Sequence, residues 1–245
     1  MKKQSLNERI IKLGKSPKKL LCVVKKILSV LKNIWNNPAF KPKVARTLNE
    51  GMYQSTVIVL LIQVALKNLP IGDSFFISTS GKQSVTSTNR KGEGRGRRPD
   101  IMFLGNYLET TFELLYVECS RLFCSSQKKA DDEIKLWREV NDGLYWIRQS
   151  FNQGKEQFGI VGVQVVGNIL YLNILVQDKV NVHRYYHLQS VEIPVQFSDE
   201  IVVSKFIETL LVLRNILITN LSLLYYALAA ISEWQKEDFS NIDTD

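Results

Sequence analysis

The chain is poor in the residues that build disulfide and soft-metal sites. Its 245 residues include 3 cysteines and 2 histidines. Cys22, Cys119 and Cys124 form no C-x-x-C pair, and so odd and low a count does not fit a disulfide-stapled secreted scaffold. A reducing intracellular compartment, nuclear or cytoplasmic, is the expectation. His183 and His187 stand four apart on one expected strand and face the same way, but no further Cys or His lies nearby to complete a zinc shell. Long apolar runs are also missing. Lys25, Lys26 and Lys32 interrupt every candidate h-region of a signal peptide. Residues 216–231 come nearest to membrane length, but Arg214, Asn220 and Ser222 make a packed core helix the better reading, so no transmembrane segment is expected. Gly92-Glu93-Gly94-Arg95-Gly96 has the glycines of a phosphate loop, yet no Gly-Lys-Ser/Thr follows. No internal repeat is present.

What the chain does have is basic charge in two blocks. Residues 1–46 carry 13 Lys and Arg against the single acid Glu8, and residues 82–98 carry six against Glu93. The remainder is acidic, although the whole chain is at +8. Such asymmetry implies a polyanionic partner, either nucleic acid or an anionic membrane surface, with a solvated tail as the plain alternative. In the second block, Lys91, Arg95, Arg97 and Arg98 are the expected phosphate contacts, carried on a mobile loop or hairpin over residues 80–98.

Periodicity supplies the elements. Leu20, Leu21, Val24, Ile27, Leu28, Leu31, Ile34 and Trp35 repeat at helical spacing opposite a basic face. A second helix is expected over residues 44–69, and a short strand over 74–79. A helix over 128–151 has an apolar side read as Ile134, Trp137, Val140, Leu144, Tyr145 and the positions from Ile147 to Phe151. Residues 159–166 and 169–177 read as strands joined by the two-residue turn Gly167-Asn168. A third strand spans 182–193, and Ser198-Asp199-Glu200 opens a final helix reaching about residue 237.

The most informative stretch runs from Arg97 to Lys135. Asp100 opens the apolar run Ile101-Met102-Phe103-Leu104, and Glu118 closes the run Phe112-Glu113-Leu114-Leu115-Tyr116-Val117. Paired antiparallel through a turn at Gly105-Asn106, the two runs bring both carboxylates to one sheet edge. Two converging carboxylates suit a hard cation such as Mg²⁺, which takes oxygen ligands and keeps several waters.

With Pro99-Asp100 and Glu118-Cys119-Ser120, this arrangement resembles the PD-(D/E)XK nuclease superfamily, in the divergent form of restriction-endonuclease-like domains in fungal and Crinkler-type proteins. The resemblance covers the order of elements from about residue 45 to 178. It implies an α/β fold with a mixed central sheet flanked by helices and a restriction-endonuclease-like core; composition alone supports only mixed α and β. It also implies Mg²⁺, or Mn²⁺ in its place, held by Asp100, Glu118 and the preceding-helix acid Glu50, and hydrolysis of DNA or RNA. The third position of the motif is Ser120, where the superfamily has lysine. In some members the lysine's role passes to the following helix, which makes Lys135 the first choice and Lys129 the second. Ile134, Leu136 and Trp137 are read as anchoring the Lys135 turn. The departure at Ser120 keeps a second reading open, a catalytically inactive nuclease-like domain that binds nucleic acid or a protein partner. The expected division is a basic helical extension over residues 1–43, the nuclease-like domain over 44–232 and an acidic tail over 233–245. A homodimer is left open.

Overall fold

The computed structural model describes residues 17–69, 75–79, 82–91, 96–107, 110–150, 158–178 and 182–240. The chain starts with helix α1 (Pro17–Asn36), then α2 (Pro42–Ala45), α3 (Glu50–Tyr53), one π-helical turn (Gln54–Ile58) and α4 (Val59–Leu66). Strand β1 (Phe75–Thr79), helix α5 (Val85–Lys91), and strands β2 (Ile101–Tyr107) and β3 (Thr110–Cys119) follow. Helix α6 (Ser126–Ser150) leads to β4 (Gly159–Val166), β5 (Ile169–Gln177), β6 (His183–Glu192) and the last helix α7 (Glu200–Ser240).

The six strands make one mixed sheet in sequence order. All neighbours are antiparallel except β3 and β4, which are parallel. A parallel pair needs a long crossover, and α6 supplies it. Gly162 of β4 lies under Leu136 and Val140 of α6, and Gly143 of α6 sits against the Tyr116 ring of β3. Strand β4 is buried along almost its whole length, as a strand covered on both faces should be. The second face is covered by α1, α4 and α7, which pack on one another.

Helix α1 buries Val23, Ile27, Leu31 and Ile34, while Leu21 and Leu28 stay exposed. Its Trp35 indole N–H donates to the Pro194 carbonyl at 2.7 Å, so residues 17–36 join the folded body. Residues 1–16 and 241–245 lie outside the described residues. Arg214 of α7 is 2% exposed. It donates to the carbonyls of Ala65, Lys67 and Asn68 at 2.8–3.0 Å. Those carbonyls are the unsatisfied end of α4, and Asn68 turns away with φ 52°, a conformation asparagine tolerates.

Four expectations need correction. The single helix over 44–69 is broken at residues 46–49, where Asn49 caps a new start by accepting from the Met52 N–H at 2.7 Å. Gly105 and Asn106 belong to β2 rather than to a turn; a Cβ at Gly105 would run into the Phe75 ring, so glycine there admits the neighbouring strand's aromatic. Residues 108–109 lie outside the described residues. The segment 80–98 holds helix α5 instead of being loop throughout. Last, the expected apolar side of α6 is right in part: Val140, Leu144 and Ile147 are buried, joined by Leu136, whereas Ile134, Trp137 and Tyr145 are exposed.

Among the described residues, no helix is long and apolar enough to cross a membrane. The Gly167-Asn168 hairpin forms as its sequence requires, with Gly167 at φ 61°.

Candidate active site

Strand register brings the two carboxylates together. Ile101 pairs with Val117, so Asp100 lies one step further along, opposite Glu118. The Cys119 backbone N–H donates to Asp100 Oδ2 at 2.7 Å, tying the acid across to the neighbouring strand. The α3–π segment fastens the same corner, where Gln54 Nε2 donates to the Asp100 carbonyl at 2.9 Å.

The ammonium comes from the crossover helix. Lys135 Nζ lies 2.6 Å from Glu118 Oε2 and 3.3 Å from the Arg98 carbonyl. Glu118 is 1% exposed and Lys135 is partly exposed. Buried Leu136 fixes the turn; Ile134 and Trp137 do not, because both face solvent. Lys129 goes elsewhere. Its ammonium donates to the Tyr171 hydroxyl at 3.2 Å and lies 4.6 Å above that ring.

Ser120 shares the α6-facing side with Glu118, as the two-residue repeat of a strand demands, while Cys119 is buried. No space is left beside Ser120. Its hydroxyl donates to Asp132 Oδ2 at 2.7 Å, and Lys128 Nζ holds Asp132 Oδ1 at 2.8 Å. A lysine at position 120 would be forced into a fully buried site, so Ser120→Lys offers no simple repair. Glu50 approaches from α3, with its Oε2 3.9 Å from Lys128 Nζ. Half-exposed, it stands at the rim rather than in the centre.

A further carboxyl, Glu139, is 1% exposed and faces Glu118 from one turn beyond Lys135. Neither of its oxygens, nor Glu118 Oε1, has a hydrogen-bond partner; only a proton held between the two acids would join them. The sequence marks Glu139 by nothing except its i, i+4 spacing from Lys135.

Burial, and then the charge on Asp100, push Glu118 up to about 7. Burial and the Glu118 charge raise Glu139 further still. Burial also raises Asp100, against the Cys119 N–H and Lys135. Burial alone would depress Lys135, but the Glu118 carboxylate outweighs it and leaves the ammonium more firmly protonated than usual.

No family model, curated protein or solved structure matches the chain. Function has to be read from the geometry.

Among the described residues, no three His, Cys, Asp or Glu side chains form a group able to hold a metal ion. His183 bonds Asn141 Oδ1 at 2.8 Å, and His187 bonds Asn173 Oδ1 at 3.0 Å, so both rings are structural. Of the expected phosphate contacts, Arg97 gives one nitrogen, Nη1, to Asp142. Arg98 is exposed. Lys91 closes α5, and Arg95 lies outside the described residues.

The acid pair makes stability depend on pH. Glu118 and Glu139 bind protons more tightly folded than unfolded. Their stabilising contribution is therefore full below the ordinary value of 4.5; Glu118's is lost as pH rises through about 7, and Glu139's goes on falling until about 10. Glu139→Gln is expected to lose less Tm than the unmodified protein between about pH 5 and 8. Equal losses in a thermal melt series would show that the pair does not titrate on folding.

Proposed function

We propose that the chain is a metal-dependent nuclease that hydrolyses phosphodiester bonds of DNA or RNA. The observation that carries this reading is the Lys135 ammonium, 2.6 Å from buried Glu118 and beside Asp100. It supplies from a helix the cation that Ser120 cannot supply from the strand. This favours a restriction-endonuclease-like core and membership of the PD-(D/E)XK superfamily.

Mg²⁺ fits the donors. Asp100 and Glu118 offer oxygen alone, and Glu118 Oε1 is a buried acceptor with no partner. Mg²⁺ commonly takes only one or two carboxylates and completes its shell with water and substrate phosphate, so a three-acid cage is unnecessary. Bound there, it would polarise the phosphoryl oxygen and make water a better nucleophile at neutral pH. Asp100 and Glu118 would hold it, with Glu50 at the rim. Lys135 would stabilise negative charge growing on the phosphoryl oxygens, a role for which a fixed ammonium at a half-buried site is suited. Lys128, held by Asp132, would add positive potential without direct contact.

One observation favours the non-catalytic reading. The Ser120 hydroxyl is engaged by Asp132, so the strand position that carries lysine in the superfamily serves packing here. The test is a cleavage assay on labelled single- and double-stranded DNA and RNA with Mg²⁺ and with Mn²⁺. Cleavage by the unmodified protein, reduced at least about 100-fold in Asp100→Asn, is the expected result. Binding without cleavage under either metal would replace the nuclease with a nuclease-like binding domain.

A further inference from the structure

Beyond the carboxylates, α6 carries a second polar feature. A cavity of about 290 Å³ is lined by Arg90, Arg97, Trp137, Arg138, Asn141 and Asp142. Arg90 Nη1 reaches Asp142 Oδ1 at 2.7 Å, and Arg97 Nη1 reaches Asp142 Oδ2. One carboxylate thus holds two guanidiniums. Each has five N–H donors in a fixed fork, so most of the donors remain for something else. Arg138 is exposed and has no ion-pair partner among the described residues. Three arginines against one aspartate leave the pocket cationic. Its wall is firm, because Asn141 is held by both His183 and the Trp137 carbonyl.

Two exposed aromatics accompany these cations. Trp137 is 47% and Tyr145 43% exposed, and they stand at i and i+8, on one face of α6. The Arg90 guanidinium lies 5.4 Å from the Tyr145 ring centroid. Exposed large aromatics beside a cationic groove are the pattern of single-strand recognition, in which backbone phosphates meet the charges and unpaired bases stack on the rings. A duplex hides its base faces and cannot use Trp137 in this way.

The pocket also adjoins the acid site. The Arg97 side chain enters the pocket, while the next residue's carbonyl accepts from Lys135. Lys135 and Asp142 lie seven residues apart on α6, about 10 Å along the axis at 1.5 Å per residue. That is a few phosphates along one strand.

We infer that the Arg90–Arg97–Arg138 pocket binds a backbone phosphate of single-stranded nucleic acid, with a neighbouring base stacked on Trp137. The inference rests on the nucleic-acid part of the function proposed above and names the strandedness of the substrate. Asp142 with its two arginines also pins α5 to α6, so variants of those three would confuse binding with folding. Trp137 and Arg138 are exposed and touch none of those ion pairs, which makes them the residues to change.

The experiment titrates labelled single-stranded DNA and RNA oligonucleotides into the full chain in EDTA, so binding is read apart from cleavage. Trp137→Ala should weaken binding about tenfold, in line with the loss of one stacked base, and Trp137→Phe should restore most of it. Arg138→Ala should lower the magnitude of the salt slope by about 0.7, the value for one single-strand phosphate contact. A duplex of the same sequence should compete poorly. Affinities within about twofold of the unmodified protein in both alanine variants, or equal competition by the duplex, would overturn the inference. The two proposals fail separately. A protein that cleaves normally while both variants bind normally loses the pocket but keeps the nuclease. One that binds through Trp137 and Arg138 but never cleaves keeps the pocket and loses the nuclease.

Discussion

Lys135→Ala is expected to reduce metal-supported cleavage by about 10²–10³-fold, the usual cost of removing one fixed charge stabiliser at a reacting centre. Nucleic-acid affinity should change little, since Lys135 spends its ammonium on Glu118 and the Arg98 carbonyl rather than on an open surface. The fold should survive. Glu118 left without its cation is free to stay protonated beside Glu139, and this avoids an unpaired buried charge. Lys129→Ala, by contrast, should leave cleavage unchanged, because Lys129 sits on Tyr171. Rate measurements at saturating metal separate the two. Equal losses in both variants, or none in Lys135→Ala, would remove the ammonium from the mechanism.

The largest stability effect is expected at Glu113. Its buried carboxylate accepts from the Ser84 hydroxyl at 2.6 Å, the Val85 N–H at 2.8 Å, and the Thr86 and Tyr116 hydroxyls at 2.7 Å each. Glu113→Ala removes the shared acceptor of three buried hydroxyls and the part-buried Val85 N–H. With about 1–3 kcal/mol for each unsatisfied group and partial rescue by relaxation, a loss of about 3–4 kcal/mol is expected. Glu113→Gln should cost less, because hydroxyls can reverse roles to accept from the amide. Urea unfolding monitored by far-UV dichroism measures both. A loss below about 1 kcal/mol in Glu113→Ala would mean that water replaces the carboxylate. The alanine variant should also bind nucleic acid more weakly, since α5 carries Arg90.

Glu113 also explains why α5 was illegible in the sequence. Val85-Thr86-Ser87-Thr88-Asn89-Arg90-Lys91 has no apolar period and is rich in residues that favour caps and turns. Its first turn is held by the Ser84 hydroxyl, which accepts from the Ser87 N–H at 3.1 Å, and by a carboxylate from β3, nearly thirty residues away, which accepts from the Val85 N–H. The strands β4 and β5 were legible to the residue, since their short apolar runs and the Gly167-Asn168 turn between them are local signals. The breadth of α6 was legible, and so were Val140, Leu144 and Ile147 of its buried face, but Trp137 and Tyr145 were wrongly placed on it. Trp137 and Tyr145 look like core residues by type, whereas the true face includes Gly143, which admits the Tyr116 ring. At the candidate site, the pairing of Asp100 with Glu118 follows from two short apolar runs with acids at opposite ends. Glu139 could not be found, because an acid inside a charged helix looks like any solvated one until the sheet covers it.

Arg214 binds together parts of the chain that are far apart in synthesis. The carbonyls it satisfies belong to residues 65–68, yet the guanidinium arrives nearly 150 positions later. While the chain is emerging, the end of α4 and the apolar surface around it stay uncovered until α7 has been made. The sheet can pair strand by strand as it appears, with α1 and α4 already made, but the part of its second face that α7 covers stays open through most of translation. A ribosome-stalled or truncated product ending before residue 200 would therefore present an assembled sheet edge and an open apolar face together. That combination draws chaperones and proteases, and it makes completion of the last helix the step that takes the molecule out of their reach.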